Sequence, residues 1–450
     1  MVVQKFGGTS VADPDAIRRL IEIVRAARHR DGAGPAVVVS AMSGVTDGLL
    51  KLASDGAAGR ASEAHAGVAT IRDRHLAAAA DLAPGNTELV ASLTEQCQQL
   101  DAVVGTIATL REVTPRMSDV VAATGELLSS RLVAAALLHA GLNGEWVDSR
   151  RVVVTSDDHT QARPLANETN AAMRAAVGSS IEAGRVPVLG GFVGATVDGY
   201  TTTLGRGGSD YSGALVGAGV GASEIQIWTD VDGMLTADPR VVTSPRLVPR
   251  LSFAEAAELA YFGAKVLHPA TILPAVEHDI PVRILNSRRP EGTGSVITAQ
   301  PAPDATAVTA FACKRDVTVV DITSSRMLMA YGFLRQVFEI FERFKTAVDV
   351  VTTSEVSVSM TIDDRRNLEP LVAALRTLGD VSVESEMALV CAVGDRLRAE
   401  PEIAARVVTV LEEVPLRMIS QAAARRNITV IMRQADLGHA MQRLHEEFFG

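Results

Sequence analysis

Short apolar runs alternate with helical patterns through the first two thirds of the chain. VVQKF (2–6) and Val37–Val39 are typical of buried strands, whereas DPDAIRRLIEIVRAARHR (13–30) has apolar residues at helical spacing, with Asp13 predicted as its N-cap. Residues 49–111 are alanine-rich and polar by turns, which predicts a helical insertion. Strands that alternate with helices of this length predict a mainly parallel sheet with helices on both faces, a three-layer αβα domain.

The order of predicted strands and helices changes after a proline-containing segment at 298–310. The sequence predicts strand, helix, two strands and helix, and then repeats this order, which indicates two ferredoxin-like βαββαβ units in tandem. The last unit lacks its closing strand, and residues 307–314 are placed to supply one, so we expect the two units to exchange strands. The predicted organisation is a first domain at 1–297, a linker at 298–310, and small domains at 311–386 and 387–450.

One glycine-rich stretch dominates the candidate chemistry. TTTLGRGGSD (201–210) predicts a strand, a tight bend and a helix start, with Ser209 or Asp210 as the N-cap. Unpaired backbone N–H groups and the helix dipole stabilise an anion at such a bend. Arg206 adds a bidentate cation, and Asp210 is placed to hold a lysine. A simple capped turn is the alternative for this stretch considered alone.

Composition excludes several classes of protein. The 450 residues predict two or three domains, and the net charge of −10 argues against broad binding to nucleic acid or anionic membranes. The three cysteines lie far apart without zinc-ligand spacing, as expected of reduced cytosolic thiols. We find no signal-peptide pattern and no run of roughly 18 uncharged apolar residues, so the sequence predicts a cytoplasmic protein.

Five segments in order carry a family resemblance: KFGGTSVAD (5–13), SAMSGVTD (40–47), TTTLGRGGSDYS (201–212), WTDVDGMLTADPR (228–240) and FGAKVLHP (262–269). Together they resemble the signatures of the aspartokinases, within the amino-acid kinase family, and the tandem units resemble ACT domains. The resemblance covers essentially the whole chain and is strongest to the monofunctional, lysine-sensitive branch. No residues remain after the second ACT unit for a fused homoserine dehydrogenase.

The resemblance implies transfer of the ATP γ-phosphoryl group to the side-chain carboxylate of L-aspartate, the first step of lysine, threonine and methionine biosynthesis. A carboxylate is already ionised at neutral pH, so this chemistry needs no general base. It needs positioning and charge neutralisation by cations, backbone amides and Mg2+ bound with ATP. The residues implied as catalytic are Lys5, Arg206 and Asp210, with Asp210 orienting Lys5.

The same resemblance assigns binding residues. For aspartate they are Ser40, Thr46, Glu126, Phe192, Arg206 and Ser209, with Arg206 on the α-carboxylate and Glu126 on the α-ammonium. A solvated helix residue is the alternative for Glu126, and a core residue for Phe192. For ATP they are Lys5, Gly7, Gly8, Thr229, Asp230, Leu235, Arg240 and Lys265. Many relatives carry tyrosine in place of Leu235. No protein metal site is expected.

The ACT pair implies feedback control by lysine or threonine and pairing of subunits as a homodimer or homotetramer. The implied effector residues are Met327, Gly332, Phe333, Leu334, Val348, Asp349, Ser354 and Glu355. Ala330 and Ala347 stand where serines are common in the lysine-sensitive branch. Each lost hydroxyl removes about 0.5 to 1.5 kcal/mol of hydrogen bonding, which predicts weakened or altered inhibition by lysine.

Two alternatives remain open from the sequence. One is a related kinase that acts on glutamate, acetylglutamate or a nucleotide, although such relatives usually lack the ACT pair. The other is an amino-acid sensor with ACT domains and an inactive kinase domain. Retention of Lys5, Glu126, Arg206, Asp210 and Lys265 argues against the second alternative.

Overall fold

The computed structural model describes residues 1–31, 34–263, 269–301, 307–328, 331–397, 400–421 and 426–450. It divides the chain into two units that are not contiguous in sequence. The first comprises Met1–Met234, Pro249–Phe253 and Val266–Gln300. The second comprises Leu235–Val248, Ala254–Lys265 and Pro301–Gly450.

The strands up to residue 300 are β1 (Val2–Phe6), β2 (Ala36–Val39), β3 (Gly144–Trp146), β4 (Val154–Thr155), β5 (Val186–Gly190), β6 (Val193–Thr196), β7 (Thr201–Thr203), β8 (Glu224–Thr229), β9 (Arg250–Ser252), β10 (Val282–Asn286) and β11 (Ser295–Thr298). The helices are α1 (Pro14–Asp31), α2 (Val45–Ala57), α3 (Ala61–Leu82), α4 (Thr87–Leu110), α5 (Pro115–His139), α6 (Ala166–Met173), α7 (Ser179–Glu182), α8 (Gly208–Val220), α9 (Phe253–Tyr261) and α10 (Leu273–Glu277). From Ala254 onward, α9 belongs to the second unit.

Eight strands form the central sheet in the order β3-β5-β2-β1-β8-β10-β11-β9. Every neighbouring pair is parallel except β10 and β11. Phe6 lies in a core with residues of α1 and α5, and α8 packs against the opposite face, where a Cβ at Gly213 would lie 3.2 Å from Lys5 Cβ. The predicted three-layer αβα class is therefore confirmed.

The local predictions succeed to different degrees. Asp13 caps α1, because its Oδ1 accepts from the Ala16 N–H at 2.8 Å. The prediction of Ser209 or Asp210 as the cap of α8 is wrong, because Gly207 is the N-cap with φ +73°. Glycine adopts this left-handed conformation without a steric penalty. The helix therefore begins at Gly208, before the two residues that were predicted to cap it. After β5 the chain continues into strand β6, which pairs with β4 and β7 in a small second sheet.

Residues 49–111, predicted as a helical insertion, lie in the three helices α2 to α4 and their connections. The apolar faces of these helices pack into the large core that contains Phe6. Helix α5 passes the length and hydropathy criteria for a membrane span, with a mean hydropathy of 1.5. However, 83% of its most apolar window is buried inside the structure. That burial is typical of the core helix of a globular unit.

The strands after residue 300 are β12 (Ala310–Thr323), β13 (Val351–Thr353), β14 (Ser357–Ile362), β15 (Asp380–Val393), β16 (Leu416–Gln421) and β17 (Asn427–Arg433). The helices are α11 (Phe333–Arg343), α12 (Leu368–Leu375), α13 (Pro401–Val410) and α14 (Leu437–Phe449). The two predicted ferredoxin-like units are present as one antiparallel six-stranded sheet, in the order β13-β14-β12-β15-β17-β16.

The two long central strands, β12 and β15, belong to both halves of this sheet. The C-terminal part of β12 pairs with β14, whereas its first residues, Ala310–Lys314, pair with Leu389–Val393 of β15. That part of β15 in turn pairs with β17. The first residues of β12 therefore complete the second half of the sheet, and separate apolar cores lie under each half.

Candidate active site

Lys5 and Asp210 form an ion pair at the carboxyl end of the central strands. The Lys5 Nζ lies 2.6 Å from Asp210 Oδ1, and the two side chains are only 8% and 16% exposed. Lys5 comes near the end of β1, and Asp210 lies in the first turn of α8. Because the pair is largely withdrawn from water, each charge fixes the position of the other more firmly than a surface pair would.

A chain of hydroxyl contacts connects three elements beside this pair. Ser40, after β2, and Ser209, in the first turn of α8, have their Oγ atoms 3.0 Å apart. Ser129 of α5 donates from its Oγ to the Ser40 carbonyl at 2.8 Å. Gly191 permits the approach of α8, since a Cβ there would lie 2.6 Å from Ser209 Cβ. The sequence prediction included Ser40 and Ser209 but missed Ser129.

Glu126 of α5 is a buried carboxyl group, with 4% of its surface exposed. Burial raises its pKa to about 8, although the Ala41 N–H and the positive charge of Lys5 act in the opposite direction. Its Oε2 has no hydrogen-bond partner among the described residues. The solvated-helix alternative for Glu126 is therefore wrong. A buried acceptor without a donor favours a cationic or hydrogen-bonding ligand at this position.

Arg206 lies in the bend between β7 and α8, flanked by two glycines with φ of +74° and +73°. Its side chain is exposed, and it makes no ion pair with any residue that the structure describes. Phe192, with φ +67°, packs beside this bend, where a Cβ at Gly208 would lie 2.7 Å from its ring. Phe192 also contacts a small apolar cluster of α5 and β6.

The remaining predicted residues of the first unit lie at the same edge of the sheet. The Gly7 N–H donates to the Trp228 carbonyl at 2.9 Å, and a Cβ at Gly8 would lie 3.2 Å from the Ala41 carbonyl oxygen. Thr46 is half-buried in the first turn of α2. Thr229 ends β8, and its hydroxyl donates to Asp230 at 3.2 Å.

Two predicted ATP residues, Leu235 and Arg240, fall outside the first unit. Leu235 pairs with Leu247 in an isolated β-bridge. Arg240 is 70% exposed and pairs with Asp238 at 2.7 Å. Lys265 lies outside the described residues. The roles of all three in nucleotide binding stay predictions.

Asp119 is a buried polar residue that the sequence interpretation missed. It is fully buried in α5 and accepts hydrogen bonds from the Thr203 hydroxyl at 2.6 Å and the Thr160 N–H at 3.0 Å. The His159 Nδ1 lies 2.6 Å from its other oxygen. The available signal was a carboxylate seven residues before Glu126 in a mostly apolar helix.

The predicted effector residues lie in the first half of the six-stranded sheet. Gly332 is the N-cap of α11 with φ +81°, followed by buried Phe333 and exposed Leu334. Asp349 has a side chain that is 6% exposed, and its Oδ1 accepts from Lys314 Nζ at 2.9 Å.

The other effector candidates differ in their exposure. Met327 and Val348 contact the core of this half, whereas Ser354, Glu355 and Ala347 are exposed. Ala330 lies outside the described residues.

Comparison with known proteins gives consistent results. The amino acid kinase family model matches residues 1–286, and an ACT domain model matches residues 390–448. The lysine-sensitive aspartokinase 3 of Escherichia coli is 37% identical over 100% of this chain and 99% of its own length. Crystal structures of E. coli aspartokinase III, one with aspartate and ADP and one with lysine and aspartate, each give a TM-score of 0.84 over 100% of both chains, at 35% and 36% identity.

These matches span the whole chain and agree with the arrangement of Lys5, Asp210 and Glu126 at one edge of the sheet. The chain belongs to the amino acid kinase family and, within it, to the aspartokinases, kinases that transfer phosphate to a carboxyl group of aspartate.

Proposed function

We propose that this chain phosphorylates L-aspartate with ATP to give 4-phospho-L-aspartate and ADP, and thereby starts the biosynthesis of lysine, threonine and methionine. The observation that carries the proposal is the shielded Lys5–Asp210 ion pair, with the raised pKa of Glu126 beside it. A cation held at a sheet edge suits the charge that develops on a transferring phosphoryl group.

In the proposed reaction, a side-chain carboxylate oxygen of aspartate attacks the γ-phosphorus of ATP. A new phosphorus–oxygen bond forms, the bond from the γ-phosphorus to the bridging oxygen breaks, and ADP leaves with that electron pair. Lys5 neutralises charge on the γ-phosphoryl group, and Asp210 fixes the Lys5 ammonium. Gly7 and Gly8 allow the backbone to approach the phosphates, and Thr229 and Asp230 contribute to nucleotide binding.

The aspartate substrate is assigned to the residues around Glu126. Its ammonium pairs with the buried Glu126 carboxylate, and its α-carboxylate pairs with Arg206, whose guanidinium is exposed. Ser40, Ser209 and Thr46 offer hydroxyl groups, and Phe192 closes the apolar side. An ammonium at Glu126 would supply the donor that Oε2 lacks among the described residues.

We assign Mg2+ as the metal, bound with the ATP phosphates. The described residues contain no group of three or more His, Cys, Asp or Glu side chains able to hold a metal ion. Mg2+ commonly uses substrate phosphates, waters and one or two carboxylates rather than a protein cage, so the residues fit a cation that enters with ATP. When bound, Mg2+ neutralises charge on the β- and γ-phosphates.

The tandem ACT region is proposed to bind an amino-acid effector, lysine in preference to threonine. One observation supporting this is the shielded Asp349 carboxylate, which already holds an ammonium group, that of Lys314. We further propose a cytoplasmic homodimer or homotetramer paired through the ACT sheet. The edge strands β13 and β16 expose apolar residues, with Val351 37% and Ile419 46% exposed, and such edges favour pairing with another chain.

A hydroxamate assay tests the activity directly. Purified protein is incubated with ATP, Mg2+ and either aspartate, glutamate or acetylglutamate, and the acyl phosphate is trapped with hydroxylamine. We expect product with aspartate alone. Product with glutamate or acetylglutamate would indicate a different acceptor, and no product with any of the three would indicate a sensor without kinase activity.

A further inference from the structure

Asp119 lies on the same helix as Glu126 but has no role in the chemistry above. It is nevertheless a fully buried carboxylate, and it makes no ion pair with a Lys or Arg side chain that the structure describes. A buried carboxylate is costly unless hydrogen bonds compensate for the lost hydration. Its surroundings therefore show which parts of the molecule it holds together.

Both oxygens of Asp119 are used. Oδ1 accepts from the Thr203 hydroxyl at 2.6 Å and from the Thr160 N–H at 3.0 Å. Oδ2 lies 2.6 Å from His159 Nδ1, which donates because a carboxylate only accepts. One side chain of α5 thus fixes the end of β7 and the loop that contains His159 and Thr160.

These contacts continue to the bend that carries Arg206. Thr203 is the last residue of β7, and its carbonyl accepts from the Ala162 N–H at 2.9 Å. A Cβ at Gly205 would lie 3.3 Å from the Thr160 carbonyl oxygen, so the bend rests closely on the loop that Asp119 holds. The base of the Arg206 bend is therefore tied to Asp119 on two sides.

Glu126 lies seven residues after Asp119 on the same helix. Seven residues are nearly two turns, so the two carboxyl groups share one face of α5, about 10 Å apart along the axis. Helix α5 consequently carries one proposed aspartate contact directly, through Glu126, and anchors the bend of the other, Arg206, through Asp119.

We propose that Asp119 is a positioning residue for the amino-acid substrate, which sets the separation between Glu126 and Arg206. The proposal rests on the function proposed above and adds a residue that touches neither substrate. A group that holds two binding residues in register affects the affinity for the molecule that spans them, because misplacing one contact by a fraction of an ångström weakens both. ATP binding, which depends on other residues, changes little.

Substitution of Thr203 tests the proposal with a matched control in the same strand. Thr203→Val removes the hydroxyl donor to Asp119 with little change in shape. Thr202→Val is the control, because Thr202 is equally buried but bonds to the Thr155 hydroxyl at 2.7 Å instead. Thr203→Ser restores the donor, and Asp119→Asn probes the carboxylate itself. KM for aspartate, KM for ATP, kcat and the melting temperature are measured for each variant of the full chain.

We expect Thr203→Val and Asp119→Asn to raise KM for aspartate by about tenfold, with KM for ATP changed by less than about twofold. Thr203→Ser and Thr202→Val should stay close to wild type. Calorimetric titration of aspartate gives a readout that does not require turnover. Equal effects of the Thr203 and Thr202 substitutions, parallel increases in both KM values, or an unchanged KM for aspartate in Thr203→Val would overturn the positioning role. A wild-type protein that does not phosphorylate aspartate would instead refute the proposed function.

Discussion

The Lys5 Nζ and the Asp210 Oδ1 lie 2.6 Å apart, joining the end of β1 to the first turn of α8 across 205 positions (210 − 5) of sequence. The chain passes through the whole helical region before the two residues meet. An ammonium group that is already fixed in place stabilises the charge on a transferring phosphoryl group more effectively, because no reorganisation is then needed during the reaction.

Substitution of Lys5 should abolish most of the activity. Lys5→Met keeps the length of the side chain but removes the charge, and we expect kcat to fall by about a hundredfold to a thousandfold, as for other groups that stabilise transition-state charge. Asp210→Asn should reduce kcat less, because Lys5 remains but is held less firmly. Steady-state kinetics with aspartate and ATP measure both effects.

Lys51→Met is the matched control for Lys5. Lys51 also pairs with an aspartate, Asp55, but its side chain is 71% exposed on α2. The Asp55 side chain is 6% exposed, but it keeps its second partner, Arg60 at 2.7 Å, when Lys51 is removed. The kcat of Lys51→Met should therefore equal that of wild type. Similar losses in Lys5→Met and Lys51→Met would contradict a specific role for Lys5.

The space around Lys5 gives a second test. Gly213 of α8 faces Lys5, and a Cβ there would lie 3.2 Å from Lys5 Cβ, which is tight enough to displace the side chain slightly. We expect Gly213→Ala to lower kcat by about tenfold through the displaced ammonium. The control is Gly178→Ala, where a Cβ meets no atom within 4 Å. A Gly213→Ala variant with wild-type kcat would show that Lys5 tolerates the displacement.

The family resemblance assigned Lys5, Ser40 and Thr229 to one site, and the structure places all three at or just after the ends of neighbouring parallel strands. The carboxyl ends of parallel strands meet at one edge of a sheet, which is why residues far apart in sequence come together there. Their roles stay predictions. Asp119 was missed because its partner Thr203 is 84 positions away and neither residue has a local pattern that marks the contact.

The wrong cap of α8 has a related cause. Side-chain caps are the commoner helix start, but Gly207 supplies a left-handed start instead. Asp210 is thereby placed within the first turn of the helix, where its carboxylate reaches Lys5. A one-dimensional pattern contains both options and does not distinguish between them.

Aspartate binding should depend on pH through Glu126. Burial raises the pKa of this carboxyl group to about 8, so the empty site is largely protonated at pH 7 and must lose that proton to pair with an ammonium group. We therefore expect KM for aspartate to fall as the pH rises from about 6 to 9. In Glu126→Gln, KM should be higher and this dependence should disappear. A KM that is flat over this range in the wild type would contradict the assignment.

The same residue should limit stability. The pKa of Glu126 is raised from 4.5 in an unperturbed carboxyl group to about 8, so the folded state binds a proton that the unfolded state has released between these values. The free energy of unfolding therefore declines as the pH rises from about 4.5 to 8. Glu126→Gln removes this penalty, and its melting midpoint should exceed that of wild type by about 2–4 °C at pH 8. At pH 5 the difference should be close to zero, and a constant difference at both pH values would argue against ionisation as its cause.

The effector site gives the last prediction, because the Asp349 carboxylate is already paired with Lys314 at 2.9 Å. Lys314 also lies over the ring of Tyr261, 4.8 Å from its centroid. An effector ammonium must compete with that internal lysine, so we expect calorimetry to show weak binding of lysine to the wild type.

Lys314→Met leaves Asp349 without this partner and should tighten lysine binding by about three- to tenfold, since the effector then restores a lost charge pair. Lys345→Met, at an exposed position in the same half of the sheet, serves as the control and should bind lysine as the wild type does. Loss of lysine binding in Lys314→Met alone would mean that Lys314 assists the effector rather than competes with it.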